Sequence, residues 1–327
     1  MLKKNNFLSW TKEFFVLAIL LITAFIISLD KTMAKTSFDG ICLWATCVLP
    51  SLFPYLVITG ILSNLRITGK ISRFLSPITK RIFNVNGACG YAFIMSVISG
   101  YPVGAKIVSD LRKSDLISES ESVRAAVLCS SPSPVFTLSV VGNAAFNNPL
   151  LGALLFISVT AAVILTGIIF SFYKRKDKPK VDLPVTVTAN DDVFSESVFS
   201  SVISSLTVGG MITVFYIFTE ILSVYNVLYP VTALLTKLFK NETTAKGIVF
   251  GLFECTKGIK TLSAIKSFSM LPWAAFICGF GGICVIAQST VFLKKAKIKI
   301  APFVLGKAAT AILSFIIAVI LSFLFCR

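Results

Sequence analysis

The sequence predicts an all-α polytopic membrane protein, an inverted repeat of transmembrane helices with two re-entrant helical hairpins. Three observations lead there. First, 55% of the 327 residues are apolar and only 14% are charged, where a soluble domain carries about 25% charged residues. The mean hydropathy is +0.86. The net charge of +16, from 31 Lys and Arg against 15 Asp and Glu, sits mostly between long apolar stretches. Basic connectors of that kind mark the cytoplasmic side of a membrane, which excludes a nucleic-acid partner. Second, landmarks recur at a fixed offset: Pro77 and Pro230 are 153 residues apart, as are Pro149 and Pro302. Third, matching connectors differ in charge. Val141–Asn148 has none, while Lys294–Lys299 has four lysines. Equivalent connectors therefore lie on opposite sides of the bilayer, which makes the repeat an inverted one.

A membrane helix needs about 20 largely apolar residues. Phe14–Leu29, after Lys3, Lys4 and Lys12, reads as an uncleaved signal anchor, and Ile41–Ser63 as a second span interrupted by Pro50 and Pro54. Arg66–Arg81 holds five basic residues and no acid, with Ile71, Phe74, Leu75 and Ile78 on one face, as in an interfacial helix. Cys89–Ile98 is too short to cross and stops at Ser99–Lys106, so it predicts a re-entrant hairpin. Val123–Val141, interrupted by Ser130–Pro134, and Pro149–Tyr173 complete the first half. The second half repeats the order. Val198–Val224 is a span, Pro230–Lys240 is amphipathic, Gly247–Phe253 runs to Glu254, Leu271–Leu293 is broken at Gly279–Gly282, and Pro302–Phe325 closes the chain. The expected division is a signal anchor over 1–40, a first repeat over 41–173, a polar cytoplasmic linker over 174–195 and a second, inverted repeat over 196–327. With a cytoplasmic N-terminus this gives seven spans and two hairpins.

The residue types exclude most catalysis. There is no histidine, so Ser-His-Asp and Cys-His mechanisms are out and a catalytic zinc is not expected. No phosphate-binding GxxxxGK[ST] occurs. The eight cysteines lie in or beside apolar runs without CxxC spacing, where a free thiol serves as a small hydrophobe. The expectation is a transporter rather than an enzyme, with no metal and no cofactor.

In inverted-repeat transporters broken helices meet the solute near the midplane. Four breaks qualify: Ser99–Lys106, Ser130–Ser133, Phe253–Lys257 and Gly279–Gly282. Half-helix N-termini present free N–H groups that suit an anion, and Lys106, Lys257 and Lys260 stand beside two of the breaks. The expected solute-binding set is Ser99, Gly100, Tyr101, Pro102, Gly104 and Lys106 from the first break and Ser130, Ser131 and Ser133 from the second. Glu254 and Lys257 form the opposing half, with Gly279, Gly281, Gly282 and Gln288 from the last. Plainer roles stand beside these. Gly100 and Gly104 could be a helix-packing face, Lys106 could snorkel, Glu254 could pair with Lys257 or carry a coupling ion, and Gln288 could bond between helices.

The stretches Ser99–Lys106, Gly251–Glu254 and Gly279–Gly282 with Ala287-Gln288 resemble the sporulation integral membrane proteins of the nucleoside-recognition (Gate) domain family, among them the stage V sporulation transporters of dipicolinic acid. The similarity runs from about Ile41 to Phe325. The resemblance implies a fold like that of concentrative nucleoside transporters, an aromatic dicarboxylate as the solute, and a place in the outer forespore membrane. One position departs from the pattern: Ile286 stands where a histidine is expected before Ala287-Gln288, so any role of that histidine is absent. The leading expectation is a permease for a small organic anion, dipicolinate, in contact with the lipid bilayer and with homo-oligomerisation left open. A nucleoside-type carrier and a non-transporting sporulation scaffold are the alternatives. On the sequence alone, uncharged nucleosides leave the lysines beside the breaks unexplained.

Overall fold

Each helix of this chain is bounded by chemistry that its own sequence supplies. The structure, a computed structural model, describes residues 31–63, 67–180 and 192–325. The signal anchor expected at Phe14–Leu29 and most of the expected linker lie outside them. Among the described residues there is no strand.

Helix α1 (Lys31–Leu43) passes through a π-helical turn, Trp44–Val48, into α2 (Leu49–Ser63), and the pair bends by 54°. A π-turn and Pro54, which has no N–H to donate, are both recognised causes of such bends. Amphipathic α3 (Ile67–Phe83) meets α4 (Gly87–Ser99) at 92°. The contact is close because Gly87 and Gly90 have no Cβ to collide with the Ser72 backbone and Thr79. Ser72, Ser76 and Thr79 are thus buried, while Phe74, Ile78 and Ile82 face outward. Such an arrangement suits a helix lying in the membrane interface.

Helix α5 (Val103–Lys113) turns back from α4, and a capping box opens α6 (Glu119–Leu128). Pro132 and Pro134 stop helical hydrogen bonding beyond α6, so residues 130–133 carry no helix and a π-helical segment, Phe136–Ala145, follows. Val123–Val141, expected as one interrupted span, is therefore two short pieces around an unwound stretch. Asn148 and Pro149 then start α7 (Pro149–Phe170).

After 181–191 the order recurs. Long α8 (Val193–Val224) is followed by amphipathic α9 (Tyr229–Phe239), paired half-helices α10 (Glu242–Phe253) and α11 (Cys255–Ser263), broken α12 (Leu271–Phe280) and α13 (Gly282–Lys295), and α14 (Ile300–Phe325). Among the described residues four helical stretches are long and apolar enough to cross a membrane, or up to six if each bent pair is one span. This is a multi-pass membrane protein. Exposed Phe199, Leu206, Val214, Leu305, Ile312 and Phe323 supply its lipid-facing surface.

The halves interlock. Hairpin α4–α5 and α6 share a buried core with Leu293, Ile298 and Phe303 at the α13–α14 corner. Conversely, Cys255, Ile259 and Leu262 of α11 pack with Val141, Leu151 and Leu155 at the corner before α7. Buried Glu121 fixes one end: its carboxylate accepts from the backbone N–H of Ser118 (2.9 Å), Asn86 (3.1 Å) and Lys180 (3.0 Å). One turn on, buried Arg124 donates to the carbonyls of Tyr173 (2.9 Å) and Asp177 (3.1 Å), closing the end of α7.

Gly104 lets α5 lie on the unwound stretch, since a Cβ there would meet the Cys129 carbonyl oxygen and Ser96. Gly104→Ala should therefore lower stability by about 1–3 kcal/mol. Gly210→Ala, where an added Cβ meets nothing within 4 Å, should leave the melting temperature unchanged or raise it. Equal effects of the two substitutions in a thermal-melting assay would contradict this packing.

Candidate functional site

The helix breaks come together at the centre of the molecule, and each is shaped by residues that tolerate a broken helix. Helix α4 ends at Ser99, Gly100 adopts φ +80°, and the Tyr101–Pro102 peptide is cis before α5 begins. A Cβ on Gly100 would stand 2.8 Å from the Ser133 nitrogen, so the first break rests on the second. Gly281 and Gly282 adopt φ +79° and +74° between α12 and α13. A Cβ on Gly282 would stand 2.9 Å from the Phe253 carbonyl oxygen, so the last break rests on the tip of α10–α11. The Tyr101 hydroxyl, 3.8 Å from Cys255 Sγ, joins the two pairs. Left-handed backbone at these glycines is the conformation that other residues rarely adopt.

Between the breaks, α2 and α8 lies a cavity whose empty space, with the open solvent at its mouth included, is about 550 Å³. Six of the expected residues line it: Ser99, Gly100, Tyr101, Ser133, Glu254 and Gln288. Cys255, Thr256, Val48, Leu52, Phe136, Val208, Ile212 and Val285 complete most of the wall. Glu254 caps α11. Its carboxylate accepts from the Lys257 N–H (2.6 Å) and from the Thr256 hydroxyl (3.0 Å) and is 2% exposed. Gln288 reaches Cys284 Sγ at 3.2 Å within its own helix. Among the lining residues Glu254 alone carries a formal charge.

The remaining expected residues stand elsewhere. The Lys106 ammonium lies 2.7 Å from Ser200 Oγ and 3.4 Å from Ser204 Oγ, in an adjoining space that Pro102 also reaches. Lys257 turns away from Glu254 to pair with Glu220 at 2.6 Å, between the rings of Tyr216 and Phe250. Lys260 is exposed at the surface. Neither Ser130 nor Ser131 lines the cavity. The Ser131 hydroxyl donates to the Pro132 carbonyl (3.2 Å), and Ser130 Oγ is buried without a partner. Gly104 packs on Cys129, and Gly279 packs on Ser314 and Ala311 of α14. Gly281 and Gly282 shape the backbone rather than the wall. Among the described residues no group of three His, Cys, Asp or Glu side chains is placed to hold a metal.

The sequence reading missed one residue at this centre. Lys307 of α14 is 2% exposed, with Nζ 3.3 Å from the Ser130 carbonyl oxygen and 5.0 Å from the Tyr101 ring centre. The signal was present: Lys307 is the single charged residue of the 26-residue apolar helix α14, and a charge at that depth marks function by default.

Comparison with known proteins now bears on this arrangement. A family model described as Gate, nucleoside recognition, matches residues 45–174, the stretch from the first π-turn to the end of α7. The sporulation integral membrane protein YlbJ of Bacillus subtilis (strain 168) is 30% identical over 316 residues, covering 88% of this chain and 77% of that protein. The chain belongs to the YlbJ family. No solved structure matches it significantly. As a YlbJ-family protein it is a multi-pass membrane protein of transporter type, built on a nucleoside-recognition domain and related to a sporulation membrane protein.

Helix α8 runs past several cavities of this YlbJ-family chain. A space of about 1280 Å³ lies against Glu196–Ser201, with Lys106, Asp110 and Tyr91 in its wall. A smaller one of about 200 Å³ touches Ser204 and Val208, and the central cavity touches Val208 and Ile212. Neighbouring spaces share walls: Leu56, Val103 and Lys106 border the first two, and Leu52 and Val208 the last two. Past Ile212, α8 carries Tyr216 and Glu220, which contact Lys257, and Phe218, which meets Phe253 edge to face (6.1 Å). Removing one partner of a largely buried pair strands the other charge. Glu220→Gln should cost about 1–3 kcal/mol, and Glu220→Gln with Lys257→Met should recover most of it. Thermal melting of both variants checks this, and a double variant no better than the single one would rule the pairing out as the cause.

Proposed function

We propose that this protein carries a small, uncharged, nucleoside-like solute across a membrane of the sporulating cell. The observation that carries the reading is the charge of the cavity. Its wall offers hydroxyls from Ser99, Tyr101, Ser133 and Thr256, the Gln288 amide, aromatic surface from Tyr101 and Phe136, and one carboxylate, Glu254. A dicarboxylate would meet like charge there in a low-dielectric site, whereas a neutral polar ring solute brings donors to Glu254 and Gln288. The objection to a nucleoside-type solute falls with the placement of the lysines. Lys106 is held by serines and Lys257 by Glu220, so neither needs an anionic solute to explain it. The Gate match over residues 45–174 supports the same class.

Dipicolinate remains the second reading, and Lys307 is the observation in its favour: a buried ammonium stands behind Tyr101 at the cavity edge. The wider frame is also proposed here. Charge asymmetry between equivalent connectors supports an inverted repeat of two halves, 41–173 and 196–327, with the N-terminus in the cytoplasm. Kinship with a sporulation membrane protein supports a forespore membrane as the site of action.

Equilibrium binding to the purified protein separates these readings. Uridine or adenosine should bind and dipicolinate should not, and Gln288→Ala should weaken nucleoside binding by about tenfold, the loss of one or two hydrogen bonds. Saturable dipicolinate binding with no nucleoside binding would replace the proposed solute. Binding of neither, together with normal sporulation when Gly100 is replaced, would favour the scaffold.

A further inference from the structure

Lys307 is the buried charge for which nothing above gives a purpose. Its position is rigidly set. In the adjacent position Gly306 lets α14 approach Val127 of α6, and one turn on Thr310 Oγ1 lies 3.0 Å from Thr166 Oγ1 of α7. Farther along, Ser314 fits against Gly279. Helix α14 is thereby fastened to α6, α7 and α12, and the lysine is delivered where three breaks meet. Nζ bonds the Ser130 carbonyl in the unwound stretch and faces the Tyr101 ring, and a Cβ on Gly281 would stand 3.5 Å from it. Among the described residues no carboxylate pairs with it. The same stretch keeps spare capacity, because the buried Ser130 hydroxyl has no partner.

Carbonyls freed where a transporter helix unwinds are the groups that ordinarily coordinate a coupling cation, Na⁺ or H⁺. Here a carbonyl of that kind is bonded by an ammonium belonging to the protein, and an aromatic face completes a cation's preferred surroundings. We propose that Lys307 is a tethered cation, occupying the seat that would otherwise take a mobile monovalent cation and so freeing solute binding from sodium. The ammonium binds the second break to Tyr101 of the first, and it stands within the same buried centre as the Glu254 carboxylate. This deepens the transporter reading and rests on it for the solute-binding arm alone.

The test compares the purified full-length protein in sodium, potassium and choline chloride at matched ionic strength. Wild-type protein should melt at the same temperature in all three, and its affinity for uridine or adenosine should be unchanged when choline replaces sodium. Lys307→Ala should melt lower in choline and be raised selectively by sodium or ammonium, as the vacated seat refills. Lys307→Met, which fills the space without charge, should be destabilised with no cation selectivity. Selective stabilisation of the wild type by sodium would overturn the proposal, as would a folded Lys307→Ala indifferent to every cation. If Lys307→Ala does not fold, the wild-type comparison still decides, since sodium dependence there contradicts a tethered cation and its absence upholds one. The melting measurements contain no solute, so a failed choice of solute leaves them intact, and a failed cation proposal leaves the nucleoside arm standing.

Discussion

Backbone polar groups at membrane depth must find partners inside the protein, and the centre of this molecule is organised by that requirement. Breaking a helix frees N–H and C=O groups that lipid cannot satisfy. The chain answers by bringing its breaks together: Gly100 on Ser133, Gly282 on the Phe253 carbonyl, and Lys307 on the Ser130 carbonyl. The Glu254 carboxylate takes up the N–H groups that open α11. Polar backbone is thus concentrated in one place, with the cavity beside it.

Charge follows from that geometry. A buried cation needs an acceptor, and each inward lysine has found a different one. Lys106 uses hydroxyls on α8, Lys257 a carboxylate on α8, and Lys307 an unwound carbonyl. Helix α8 serves twice, as the wall along which the cavities line up and as the source of partners for the hairpin lysines. Its seryl N-terminal part borders open space, and its aromatic and acidic part, Tyr216 to Glu220, holds Lys257.

How legible this was depends on the residue. The breaks at Gly100, Pro132, Glu254 and Gly281 were visible because glycine, proline and an isolated acid interrupt apolar runs, and each is a break in the structure. The boundaries of α3, α7, α9 and α14 follow hydropathy and proline position closely. Side-chain direction was less visible. Proximity in sequence placed Lys106 and Lys257 beside the breaks, but on a half-helix the side chain leaves sideways, toward whichever neighbour packs there. Glycines show the same ambiguity. Gly104 and Gly279 admit a neighbouring helix and Gly281 turns the backbone, yet all are simply glycines beside a break in the sequence.

By itself the sequence determined that this is a basic, multi-pass helical protein with interruptions at fixed places. Those properties come from hydropathy, proline and glycine, which act over a few neighbouring residues. Only the tertiary structure decided which groups face the shared cavity: Glu254 and Gln288 inside it, Lys106 and Lys257 outside, and Lys307 arriving from the last helix to meet a carbonyl 177 positions earlier. The physical reason is that a buried charge is placed by its partner, and the partners of Lys106, Lys257 and Lys307 lie far off in the sequence, on α8 or in the unwound stretch.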